Sequence, residues 1–378
     1  MQLKAFEDRV EGFLEKKFRY SRSFGTKNTY RTSIKKFDEF LREKYGLDVN
    51  QVIVELKEGK LNSIDVLDQF FTYLTKCTLR NGKVGYSNST IIVGITAAKE
   101  FLNDNNLHIY TEDLKQRFKL PKKENVYEEG LTKEILSRLL HNSSPKLQTA
   151  ILMCVSSGMR IGELVQLRLG DIDFKTNPTT IRIRKETTKS RETRFTCISG
   201  ETTKCLKDYL RKNLDWYEET KEDKFIFLSN NQDLSDPKRY HSVVSTSINN
   251  LEQMLVRVEK SVPELSKKNE NGRNSIHFHS FRAWFKTQVT DSHQSDFAEA
   301  LMGHKSLKLV YYRQNTEVRS KTYLGIEHSL TVSDFTKMEK TITEISQKYT
   351  ELETKFHDFL RNCKENKIPV PDSLLKMV

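Results

Sequence analysis

The stretch Ser157-Gly-Met-Arg-Ile-Gly-Glu-Leu-Val-Gln-Leu-Arg-Leu-Gly-Asp-Ile-Asp173 decides how this chain is read. Gly158 sits at a turn, Arg160 opens a helix, and Glu163 follows one turn on, spaced to hold the guanidinium through its carboxylate. Leu164, Leu167 and Leu169 then anchor the segment in a core. An arginine at a helix N-terminus opposes the helix dipole, so its presence points to an anion that rests there and offsets it.

Three further elements follow in order. Residues 180–183 and 193–198 are strand-like, and the polar run Lys185-Glu-Thr-Thr-Lys189-Ser-Arg191-Glu-Thr-Arg194 joins them as a hairpin turn with Lys189 at its tip. His277-Phe-His279-Ser-Phe-Arg282-Ala-Trp sets His279 and Arg282 three apart on a helical face, within reach of one phosphate. Leu301-Met-Gly-His304-Lys-Ser places a histidine after a tight glycine turn, and Tyr311 and Tyr312 stand seven and eight residues beyond it, followed by Arg313.

Arginine, hairpin lysine, His-x-x-Arg, Gly-His and tyrosine in this order resemble the catalytic domain of the tyrosine recombinase/integrase family. The resemblance spans about residues 130–325, and SGMRIGELVQLRLGDID and LMGHKS are strings characteristic of that family. It implies that Arg160, Lys189, His279, Arg282 and His304 handle a phosphate, that Glu163 supports them, and that a tyrosine is the nucleophile. The family usually leaves one or two residues more between the histidine and the nucleophile than are found here. Tyr312 is nearest that spacing, Tyr311 is its alternative, and Tyr323 is a more distant one. The hairpin and the Tyr-Tyr-Arg segment are most similar to integrases of archaeal viruses and integrative elements. The implied chemistry is cleavage and rejoining of DNA through a 3′-phosphotyrosine, with His279 as base, His304 bonding the phosphate and Lys189 protonating the departing 5′ oxygen. Two guanidinium groups replace a metal, so no metal, nucleotide or other cofactor is expected.

Composition agrees with a polyanion as partner: Lys and Arg number 63 against 51 Asp and Glu, a formal charge of +12. Between Lys16 and Lys36 there are eight basic residues and no acidic one, interleaved with Phe18, Tyr20, Phe24 and Tyr30. Lys16, Lys17, Arg19, Arg22, Lys27 and Arg31 are expected to lie along DNA phosphates, with Lys122 and Lys123 of the basic run KQRFKLPKK. The five cysteines, Cys77, Cys154, Cys197, Cys205 and Cys363, lack metal-site spacing and read as reduced structural thiols. No apolar signal core or membrane-length stretch is present, so a cytoplasmic, nucleoid-associated protein is expected, with no membrane partner.

The expected fold is mainly α with a small antiparallel β-sheet. Residues 1–114 form a helical core-binding domain that meets DNA, 115–130 a basic linker, 131–330 the catalytic domain and 331–378 a helical extension. In that extension Phe335, Met338, Ile342, Ile345, Tyr349, Leu352, Phe356 and Phe359 recur at alternating intervals of three and four. This is a heptad seam, which favours contact with another helix over docking on its own domain. A site-specific recombinase acting on double-stranded DNA as a homotetramer is the reading preferred here. The alternatives are a type IB topoisomerase-like nicking-closing enzyme and a non-catalytic DNA-binding architectural protein.

Overall fold

The computed structural model describes residues 2–79, 82–123, 129–214, 224–228, 234–269, 274–304 and 315–366. The chain divides into two compact units, Met1–Asn125 and Val126–Val378. As expected, it is mainly helical with one small antiparallel sheet.

The first unit contains α1 (Gln2–Ser21), α2 (Phe24–Tyr45), α3 (Val49–Lys57), α4 (Ser63–Lys76), α5 (Asn88–Asp104) and α6 (Thr111–Arg117). Side-chain caps fix where several of these begin. Ser23 accepts from the Thr26 amide, Asp48 from the Asn50 and Gln51 amides, and Asn62 from the Ile64 and Asp65 amides, satisfying donors that the helix itself leaves unpaired. Aromatic residues fill the centre: Phe70 lies 4.9 Å from Phe37 and 5.3 Å from Phe40, centroid to centroid, and Phe101 packs edge-on to Phe13. The basic run KQRFKLPKK starts inside α6, whose Arg117 pairs with Asp65 (2.7 Å) and Asp68 (3.3 Å) of α4.

The second unit is built on α8 (Pro145–Ser157), preceded by α7 (Lys133–His141), which Thr132 caps. Then come α9 (Ile161–Val165), β1 (Ile172–Asp173), β2 (Thr179–Ile183), β3 (Arg194–Ile198), α10 (Gly200–Leu214) and α11 (Pro237–Ser261). The described part closes with α12 (Phe278–Asp291), α13 (Ser295–Met302), α14 (Thr316–Leu330) and α15 (Ser333–Glu365). The strands run antiparallel in the order β1-β2-β3, with Ile181 opposite Thr196. The hairpin is the one expected; β1, two residues long, is too short to leave a periodic signal.

Every residue of α8 from Thr149 to Ser157 is buried, so this helix is the centre of the unit, packed by α10, α12 and β3. Its hydroxyls are satisfied locally: Thr149 donates to Pro145 O (2.8 Å) and Ser156 to Leu152 O (2.7 Å). Cys154 and Cys197 are core residues, and no disulfide is formed. Among the described residues no helix is long and apolar enough to cross a membrane.

Gly158 ends α8 in the left-handed region (φ 64°), its amide donating to Cys154 O at 2.9 Å. A Cβ there would strike the Phe285 ring. Gly158→Ala therefore combines backbone strain with overpacking and is expected to cost about 3 kcal/mol. Calorimetry should show the second unit's melting temperature falling by roughly 5–10 °C.

Candidate active site

The turn at Gly158 delivers Arg160 to the N-cap of α9, where the sequence supplies its own acid three residues later. Glu163 is 2% exposed and accepts from the Arg160 amide (2.9 Å) and from Arg160 Nη1 (3.0 Å). The same carboxylate accepts from Arg194 Nη1 (3.0 Å) and Nη2 (2.5 Å), while Arg194 Nε donates to Leu301 O (2.8 Å) at the end of α13. One buried acid thus ties α9, β3 and α13 together. Burial pushes its pKa up, but the hydrogen bond and charge of Arg194, aided by Arg160, outweigh this and hold it below the ordinary carboxyl value.

Arg282, on α12, is 2% exposed. Its Nη1 donates to Gly158 O, and its Nη2 donates to Met302 O (2.8 Å) and meets His304 Nε2 at 2.9 Å. Burial first, and the nearby Arg160 charge second, push its pKa down to about 10, so the guanidinium stays charged at neutral pH. His304 follows Gly303, which ends α13 in the left-handed region (φ 68°). Guanidinium nitrogens only donate, so Nε2 is assigned as acceptor and the ring proton to Nδ1, which faces Glu299 Oε2 at 2.5 Å. Glu299 also pairs with Lys286 of α12. Burial raises the Glu299 pKa, but the hydrogen bonds from Lys286 and His304 prevail and hold it low.

Arg160, Lys189, Ser190, Glu299, Gly303 and His304 line one open cleft of about 450 Å³. Lys189 is exposed on the β2–β3 connection, where the buried Thr188 hydroxyl bonds the loop's own backbone. Arg282 stands behind the cleft, its carbonyl partners fixing its position relative to Arg160 and His304. His279 is exposed in the first turn of α12 and is not among the residues lining the cleft.

The candidate nucleophiles Tyr311 and Tyr312 lie outside the described residues. Tyr323 is excluded by its place in the fold. It is fully buried on α14, its hydroxyl donates to Ser156 O at 2.6 Å, and burial drives its pKa well above 10. It pins α14 to α8 and does not reach the cleft.

In the first unit the basic stretch is less open than its sequence implies. Lys27 is 4% exposed and is clamped by Glu11 and Glu15, so it is a packing residue and not a phosphate contact. Lys16 pairs with Asp104 (2.8 Å), Lys17 with Glu100, and Arg31 with Glu11 (2.6 Å). Arg19, Arg22, Lys122 and Lys123 are exposed. The acids concerned sit on the preceding turns of α1 or on α5, outside the basic run itself.

Sequence reasoning missed Arg194, Lys286 and Glu299. Lys286 stands four residues after Arg282, a spacing that marks a shared helix face. Glu299 and His304 are five apart across a glycine helix end, a pairing that helical periodicity does not reveal.

Residues 129–318 match the phage integrase family, half of the 378-residue chain. Comparison with curated protein sequences gives no match. Among solved structures, a lambda integrase dimer bound to a COC′ core site is similar at 15% identity and a TM-score of 0.53, covering 82% of this chain and 97% of that one. XerA recombinase has 19% identity and a TM-score of 0.36, covering 84% of this chain and 98% of its own. The integrase from mycobacterium phage Brujita has 15% identity and a TM-score of 0.40, with 85% and 92% covered. At these identities the lambda likeness speaks to fold alone.

Glu163→Gln is expected to destabilise the second unit by about 3 kcal/mol at pH 7, because it strands two guanidinium groups around a buried neutral side chain. The folded pKa of Glu163 lies below its ordinary value, so the wild-type contribution is present above that value and fades as pH falls through the folded one. Denaturant melts at pH 7 and pH 3 should therefore show the two proteins converging in acid.

Proposed function

The chain belongs to the phage integrase family, and on that premise we propose that Tyr312 attacks a DNA phosphate held in the cleft of Arg160, Lys189 and His304. The protein is a tyrosine site-specific recombinase, an enzyme that cuts and rejoins DNA strands. The observation that carries the assignment of its site is the convergence of Arg282 with Gly158 O, Met302 O and His304 directly behind Arg160.

Attack by the tyrosine oxygen forms a phosphorus–oxygen bond to the 3′ phosphate and breaks the bond to the 5′ oxygen. Negative charge grows on the non-bridging oxygens, and fixed guanidinium groups stabilise it without reorganising. Arg160 has one edge held by Glu163 and a side chain 36% exposed toward solvent, which leaves its other donors for an oxygen. Arg282 supplies a second permanent charge from behind. His304 accepts from Arg282 at Nε2 and faces Glu299 at Nδ1, contacts that hold its ring in the cleft beside the phosphate. A phenol loses its proton near pH 10 in water, so a base must assist, and His279 at the start of α12 fills that role. Lys189 protonates the 5′ oxygen. The covalent bond retains the energy of the broken one, so rejoining needs no nucleotide.

Tyr312 is eight residues past His304, a cleft residue, and three before Asn315, which caps α14. Tyr311 is its immediate neighbour and the alternative. Further parts of the reading are a helical DNA-binding domain over residues 1–114, with Arg19, Arg22, Lys122 and Lys123 on phosphates, a linker over 115–130, the catalytic domain over 131–330 and an extension from 331. Action on duplex DNA in the cytoplasm, as a homotetramer, completes the proposal; the lambda integrase of the same fold is described as a dimer on its core site.

A nicked duplex that traps the covalent intermediate tests the assignment. Tyr312→Phe should abolish the adduct and Tyr323→Phe should preserve it, with peptide mapping placing the phosphate on Tyr312; a phosphopeptide at Tyr311 would move the nucleophile by one residue. Arg160→Ala and Arg282→Ala should each slow cleavage by roughly 10²–10⁴-fold while duplex affinity stays near wild type. Excess EDTA should leave adduct formation unchanged, and a strict magnesium requirement would overturn the charge-neutralising role of the arginines.

A further inference from the structure

α15 starts anchored and then loses its neighbours. Glu201 of α10 accepts from the Val332 amide (2.8 Å) and the Ser333 amide (2.7 Å), capping the helix onto its own unit. Farther along, every residue from 345 to 355 is exposed, whichever way it faces. Within and just beyond that stretch Ile345 is 60% exposed, Tyr349 62%, Leu352 65% and Phe359 55%, and these four fall on the heptad seam. Large apolar residues aligned on one stripe of an otherwise solvated helix mark a surface built for a partner.

From this stripe and the charges beside it we infer that α15 pairs with α15 of a second copy as a parallel, in-register two-stranded coiled coil, without DNA. With Tyr349 and Phe356 at a positions and Ile345, Leu352 and Phe359 at d positions, Lys348 is a g residue and Glu353 an e residue. In a parallel pair g meets the partner's e five residues on, so Lys348 faces Glu353 twice by symmetry. An antiparallel pair sets g against g and e against e, which brings Lys348 near Lys355 and places the glutamates on the other flank. The charges therefore select the parallel orientation. They also select the occupant. Residues 345–366 carry four basic and four acidic side chains, a neutral surface that suits neither phosphates nor an anionic membrane. In a chain of net charge +12, this neutral segment lets two copies approach without the repulsion that the basic segments would bring. Cys363, the next a residue, is already buried within its own chain, so the free seam ends at Phe359.

The inference does not rest on the recombinase reading, and its test is made on the full DNA-free chain by analytical ultracentrifugation. The wild type is expected to dimerise at concentrations of order 10 µM and above, as a short seam would. Lys348→Glu should weaken dimerisation roughly three- to tenfold, and Lys348→Glu with Glu353→Lys should restore it. Leu352→Cys treated with diamide should join two copies through one disulfide as the two thiols reduce the diamide. A wild type monomeric at 100 µM, tighter pairing of Lys348→Glu (the antiparallel result), or no recovery in the double swap would each overturn the inference. Adduct formation on the nicked duplex, measured in parallel with Lys348→Glu, reports separately on the catalytic reading.

Discussion

Glu163 receives four hydrogen bonds, from the Arg160 amide, the Arg160 guanidinium and both outer nitrogens of Arg194, in a place that water hardly reaches. A carboxylate offers about four lone-pair positions, so this one is saturated. Its saturation is what makes the surrounding geometry single-valued. Arg160 is paired with this acid, and Arg194 links β3 to the end of α13 through Leu301 O. The histidine that follows α13 is thereby placed relative to the arginine that precedes α9.

Charge around this acid does not balance. Arg160, Arg194 and Arg282 converge on Glu163, and burial first, with the Arg160 charge second, lowers the Arg282 pKa to about 10. Carbonyl oxygens from Gly158 and Met302 satisfy the Arg282 donors without neutralising them. Under the proposed function, a phosphate entering the cleft would supply negative charge and relieve an electrostatic cost of folding. The same groups would meet the larger charge of a pentavalent phosphorus still better, and that preference would lower the barrier.

Much of this was legible in the sequence because the chemistry sits at helix ends and turns, where glycine, arginine and acid spacing is informative. The Arg160–Glu163 contact, the hairpin and the helical character of both halves could be read from local spacing. Contacts made across long separations could not. Arg194 joins Glu163 over 31 residues, and the hydroxyl of Tyr323 finds Ser156 over 167. Tyr323 looks from its position like a spare nucleophile, and only its burial shows it to be a core pin. Lys27 misleads in the same manner. A lysine in an unbroken basic run reads as surface, yet two turns of α1 present Glu11 and Glu15 to it.

The ion pairs of the first unit also alter what its charge means to a polyelectrolyte. Of the eight basic residues between Lys16 and Lys36, Lys16, Lys17, Lys27 and Arg31 each have a carboxylate within bonding distance. A nucleic acid strand that binds this unit sheds condensed counterions only where a phosphate meets a cation with no acid beside it. The thermodynamic valence of such an encounter is therefore smaller than the count of lysines and arginines. Raising ionic strength would loosen it less steeply than the formal charge of the chain implies.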